Sequence, residues 1–110
     1  MLKKLVQFLP SKVRITSKVT YEVVFIDDFL DGKTLGECRH ETKQIVIKKG
    51  LSATETLKTL IHEITHALAL ENEFTLTEQT VLHLESAIYR LLRLNGWLTI
   101  LVKIFTWGKK

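Results

Sequence analysis

The stretch from Ser52 to Leu70 leaves the chain few choices of local structure. It opens with Ser52-Ala-Thr-Glu55, a capping box in which a serine oxygen can accept an orphan amide and a glutamate follows three places on. Turned through about 100° per residue, Leu57, Leu60, Ile61, Ile64 and Leu68 gather on one side, the face a core would take. His62 and His66 fall on the opposite side, with Glu63 flanking them. The spacing therefore predicts a helix over about Ala53 to Leu70 that holds two histidines away from its own apolar stripe.

Those histidines belong to His62-Glu63-Ile64-Thr65-His66, an HExxH sequence. Residues four apart lie one turn apart on one helix face, so their imidazoles can converge on a single Zn²⁺ at roughly 2.0–2.1 Å. Such an ion keeps a position open for water and lowers that water's pKa to about 7. A neighbouring carboxylate, here Glu63, can take the proton as the peptide carbonyl is attacked and pass it to the leaving nitrogen. Chance would put two histidines and a glutamate at these offsets in roughly one such chain in a hundred. The alternative for the same residues is a pair of solvated histidines.

A catalytic zinc usually takes three protein ligands, and two histidines with a glutamate are one common set. Downstream lie Glu71, Glu73, Glu78 and Glu85. Glu71 falls on the core side of the first helix, too near to return to the metal. Glu78 and Glu85 are seven apart and share a face of a second predicted helix, from about Thr77 to Leu94, beside Val81, Ile88 and Leu92. Carboxylates among such residues need a partner. Glu78 has a second reading, as the last residue of a capping box Thr75-Leu-Thr-Glu78. Glu85 suits either a zinc-bound histidine or an ion pair with Arg93 or Lys103. Helical geometry alone leaves the two open.

The rest of the chain completes an α+β pattern. Val19 to Ile26 is β-branched and aromatic, and Gln44-Ile-Val-Ile47 is a second strand closed by Lys48-Lys49-Gly50. Gly36 to Lys43, between them, is polar and reads as a turn or the start of a hairpin. The second helix carries an apolar stripe of Val81, Leu84, Ile88, Leu91 and Leu92 and stops at Asn95-Gly96. At 110 residues the chain is expected to form a single domain, with residues 1–17 as an N-terminal segment and 97–110 as an apolar, basic-ended tail. The tail is expected to serve packing or self-association rather than anchoring, since its apolar run is far short of the ~20 residues of a membrane helix. The first ten residues lack the long apolar stretch and small-residue cleavage site of a signal peptide. One cysteine, Cys38, excludes an intrachain disulfide and suits a reducing, cytoplasmic setting. A net charge of +4 is spread along the chain, with no basic-aromatic patch or helix-turn-helix, so nucleic-acid binding is not expected.

Gln44 to Ile47, the LIHEITHAL segment and LTEQTVLHLESAIYRLL together resemble the small phage-type metallopeptidases of the ImmA/IrrE-like group, over about Tyr21 to Trp97. In that group an edge strand precedes the HExxH helix. A later helix opens with a glutamate followed by small or apolar residues three and six positions on, as Glu78, Val81 and Leu84 are here. The resemblance implies a minimal zincin-like domain with Gln44–Ile47 as the edge strand, Glu78 as third zinc ligand beside His62 and His66, and Glu63 as general base. It implies zinc as cofactor and a protein or peptide substrate inside the cell, of the kind of a phage or mobile-element regulator. The chain departs from larger members in its short gap from His66 to Glu78, and no attached DNA-binding or sensor domain is expected. A catalytically silent zinc-binding module is the alternative, and Glu63 argues against it, because a purely structural site has no use for a base. Cys38 is expected to be an incidental thiol, His83 a solvated side chain and Tyr89 a packing residue. His40 is expected at the surface, or else facing the cleft.

Overall fold

The structure is a computed structural model that describes residue 9 and residues 11–96. The expectations for the first eight residues, Pro10 and the tail from Trp97 lie outside the described residues. The elements run β1 (Lys12–Arg14), β2 (Thr20–Ile26), β3 (Gly36–Arg39), β4 (Gln44–Lys48), α1 (Ala53–Glu71) and α2 (Glu78–Leu94). Strands come first and helices after, so the chain is α+β.

The four strands form one mixed sheet in the order β1-β2-β4-β3. β1 is antiparallel to β2, β2 is parallel to β4 with Val23 opposite Ile45, and β3 is antiparallel to β4 with Cys38 opposite Ile45. This corrects the expectation that Gln44–Ile47 is the edge strand. β4 is interior, flanked on both sides, and Ile45, Val46 and Ile47 are buried. A continuous apolar run is what a strand paired on both sides should show. The edge belongs instead to β3, in the polar stretch read as a turn. Its alternation of half-buried and exposed residues fits an edge strand better. β1 lies inside the segment that the sequence left without structure; it is short and exposed, and its strand character comes from pairing with β2.

The core forms where the sheet meets α1. Tyr21, Val23, Ile45 and Ile47 pack with Leu60, Ala67 and Ile15. Gly50, at φ 83, turns the chain out of β4, and Ser52 accepts the Glu55 amide at 3.1 Å, as its capping box predicts. The N-cap of the second helix differs. Thr77, not Thr75, caps α2 by accepting the Thr80 amide at 3.1 Å. Glu78 is thus the first helical residue, its carboxylate not needed for capping, at the helix end where negative charge is favoured.

α2 packs on α1 rather than on the sheet. Only one line of its apolar stripe is therefore covered among the described residues: Val81 is 0% exposed, while Leu84 and Leu91 are exposed. At the far end of α1, Glu71 accepts a hydrogen bond from the Tyr21 hydroxyl at 2.7 Å and pairs with Lys43 and His40. This clasp joins the helix end to β2 and to the β3–β4 turn. No helix among the described residues is long and apolar enough to cross a membrane.

Candidate metal centre

Because α1 is covered by the sheet on one side and by the start of α2 on another, its outward histidines lie in a crevice rather than in bulk water. His62 and His66 have ring centroids 5.0 Å apart, as one helical turn dictates. Glu78 faces both: its carboxylate lies 2.7 Å from His62 Nε2 through one oxygen and 3.3 Å from His66 Nε2 through the other. Donor atoms of His62, His66 and Glu78 all fall within 4.8 Å of one another. Two imidazole nitrogens and a carboxylate oxygen at that spacing suit a small divalent ion of the zinc class.

The second glutamate of α2 takes a different place. Glu85 Oε1 is 2.9 Å from His62 Nδ1, and both side chains are 16% exposed. Accepting the Nδ1 proton fixes the tautomer that leaves Nε2 free toward Glu78, the usual way a carboxylate orients a ligating histidine. Of the alternatives for Glu85, the structure selects the partner of a histidine. Glu78, Val81 and Glu85 thus form the strip of α2 that meets the histidine face of α1.

Glu63 lines the same crevice beside His62, next to Gly36 at the start of β3, and is 8% exposed. Burial pushes its carboxyl up to about 7; nearby His62 opposes the shift, while Glu78, Glu37 and Glu85 add to it. A carboxyl poised near neutrality is suited to taking and returning a proton. The closeness of Glu63 to the edge depends on Gly36. A Cβ built there would come 2.4 Å from Thr59 Cγ2 and 3.3 Å from Glu63 Cγ and Oε2. Nothing in the sequence points to this role, because a lone glycine in a polar stretch marks a turn just as well.

Two hollows meet at this point. One, of about 420 Å³, runs past Leu35, Lys58, Leu82 and Glu85, and the other, of about 390 Å³, past Glu37, Cys38, His66 and Leu70. Gly36, His62 and Glu63 line both, so together they make a groove along β3 with the histidines at its middle. Burial, with the Glu63 and Glu71 carboxylates, pushes the Cys38 thiol up to about 11, which keeps it a neutral thiol. His40 does not face the cleft; it turns to Glu71 at 3.1 Å. His83 is exposed, and Tyr89 packs between the helices with its hydroxyl 3.1 Å from Thr54 Oγ1.

The family model Peptidase_M78, described as the IrrE N-terminal-like domain, matches residues 18–90, which include both helices' site residues and the sheet from β2 onward. No curated protein and no solved structure gives a significant match.

Proposed function

Because the chain belongs to the IrrE N-terminal-like peptidase family, we propose that it is a zinc-dependent metallopeptidase acting on a protein or peptide inside the cell. In this reading His62, His66 and Glu78 hold the ion and Glu63 is the general base. The observation that carries it is the convergence of the three donors within 4.8 Å beside a buried, separately placed Glu63. A bound zinc would supply Lewis acidity toward a peptide carbonyl and acidify a water.

The chain's own residues do the rest. Glu63 takes the water proton on a carboxylate oxygen and returns it to the departing amide nitrogen. Glu85 holds the His62 ring through Nδ1 and so keeps Nε2 on the metal side. The outer edge of β3 is unpaired among the described residues, and an extended substrate can add there by backbone hydrogen bonds. Gly36 leaves that path clear between the two hollows. A phage or mobile-element regulator is the class of target this family resemblance favours.

The test is cleavage of a mixed peptide library by zinc-loaded protein, with Glu63→Gln and a chelated sample beside it. Cleavage that both controls abolish is expected. Cleavage that survives in zinc-loaded Glu63→Gln, or a wild type that cleaves nothing, overturns the reading.

A further inference from the structure

The larger hollow holds one charged group that the chemistry above does not use. Lys58 precedes His62 by one turn on the same helix face, about 6 Å along the axis. Its ammonium rests 5.4 Å from the centre of the Tyr89 ring, and that ring is fixed by the Tyr89–Thr54 hydrogen bond between α2 and α1. The carboxylates around it are engaged elsewhere. Glu55 belongs to the cap of α1 with Ser52, Glu85 holds His62, and Glu63 stands at the reaction centre. Among the described residues, Lys58 takes part in no ion pair. Leu35 and Leu82 line the same hollow as Lys58 and His62. A peptide lying there meets apolar walls and a held cation.

We propose that Lys58 selects a substrate carboxylate one or two residues from the scissile bond, beyond an apolar side chain seated between Leu35 and Leu82. The distance follows from the ~3.3 Å that each residue of an extended chain spans. The carboxylate is either an acidic side chain or the substrate's own C-terminus. The inference rests on the peptidase reading and deepens it to a substrate class.

Zinc-loaded wild type, Lys58→Glu and Lys58→Arg are assayed on fluorogenic peptides that carry Glu, Gln or Lys near the cleavage point, each as free acid and as C-terminal amide. Wild type is expected to favour the acidic peptides roughly tenfold in kcat/KM, Lys58→Arg to keep the preference and Lys58→Glu to shift it toward Lys. Loss of the preference on amidation assigns the carboxylate to the C-terminus; its persistence assigns it to a side chain. An unchanged preference in Lys58→Glu, or none in wild type, overturns the proposal. A binding arm separates this from the reaction itself. Hydroxamate-capped peptides differing only in Glu or Gln are titrated against zinc-loaded Glu63→Gln, with and without Lys58→Glu. Discrimination that Lys58→Glu removes supports the role of Lys58 even where no peptide is cleaved, in which case the peptidase reading alone fails. Equal or absent binding of the two overturns the role of Lys58.

Discussion

Glu63 is buried like a core residue yet placed like a reagent, and its two properties can be separated by one substitution. Glu63→Gln keeps the shape and removes the proposed base. Zinc-loaded Glu63→Gln is expected to retain its metal while hydrolysis falls by about 10²–10⁴-fold, read by metal analysis and peptide assay. The fold itself responds in the metal-free protein. A carboxyl raised from 4.5 to about 7 by burial favours folding while protonated, so its contribution is intact below the unfolded pKa and lost as pH rises toward 7. Metal-free Glu63→Gln should therefore be more stable than wild type at pH 8, by on the order of 2 kcal/mol. The two glutamates of α2 should differ in kind. Glu85→Ala removes only the group that orients His62, and is expected to weaken zinc binding about 10–100-fold. Glu78→Ala removes a donor and should weaken it further. Calorimetric titration of the two ranks them, and a larger loss for Glu85→Ala would reverse the roles assigned here.

At the scale of elements, the site depends on how closely β3 approaches α1. Gly36→Ala puts a methyl group into Thr59 and against Glu63, and β3 must move or the side chains must shift. Overpacking of this kind costs about 1–3 kcal/mol. Thr59→Ser removes the Cγ2 atom that the methyl meets first, so the double variant is expected to recover part of the loss in a denaturation cycle. Additive losses would show that the contact is not the cause. The clasp at the other end of α1 sets an acid limit. Lys43 and Tyr21, hydrogen-bonded to Glu71, hold its carboxyl below the usual carboxylate range, with His40 contributing. A lowered folded pKa gives stability that is present above the unfolded value near 4.5 and lost as pH falls through the folded one. Thermal melts from pH 6 to pH 3 should therefore fall more steeply for wild type than for Glu71→Gln.

For the whole molecule, the proposed metal and the fold would be coupled, because the proposed ligands come from two helices. His62 and His66 sit on α1 and Glu78 opens α2, so an ion bound by all three ties the helices together across a contact whose fully buried apolar residue on α2 is Val81. Zinc at about 100 times its dissociation constant stabilises a fold by about 2.7 kcal/mol. In a domain this small that corresponds to a rise in Tm of roughly 10 °C or more. The rise should vanish with chelator and in His62→Ala, as read by scanning calorimetry. Equal Tm with and without zinc would mean that the ion is not held by both helices.

Local spacing was enough to place both helices, the cap at Ser52, the outward histidines and Glu63 between them, because a helix converts sequence offsets directly into faces. The same rule put Glu78 and Glu85 together on one face. It could not rank them, since helical periodicity says nothing about which end of a helix meets a neighbour. Packing sets which end that is: Glu78, in the first turn of α2, lies against His62 and His66, and Glu85, two turns on, reaches Nδ1 of His62. Strand order was likewise invisible. β4 precedes α1 directly, but β3 folds outside it, so the edge beside Glu63 is the polar strand and not the apolar one. A strand's place in a sheet is set by pairing between distant segments, and a short polar stretch such as Gly36–Arg39 becomes a strand only when that pairing satisfies its backbone. Gly36 and Lys58 likewise owe their surroundings to neighbours that only the tertiary structure brings beside them.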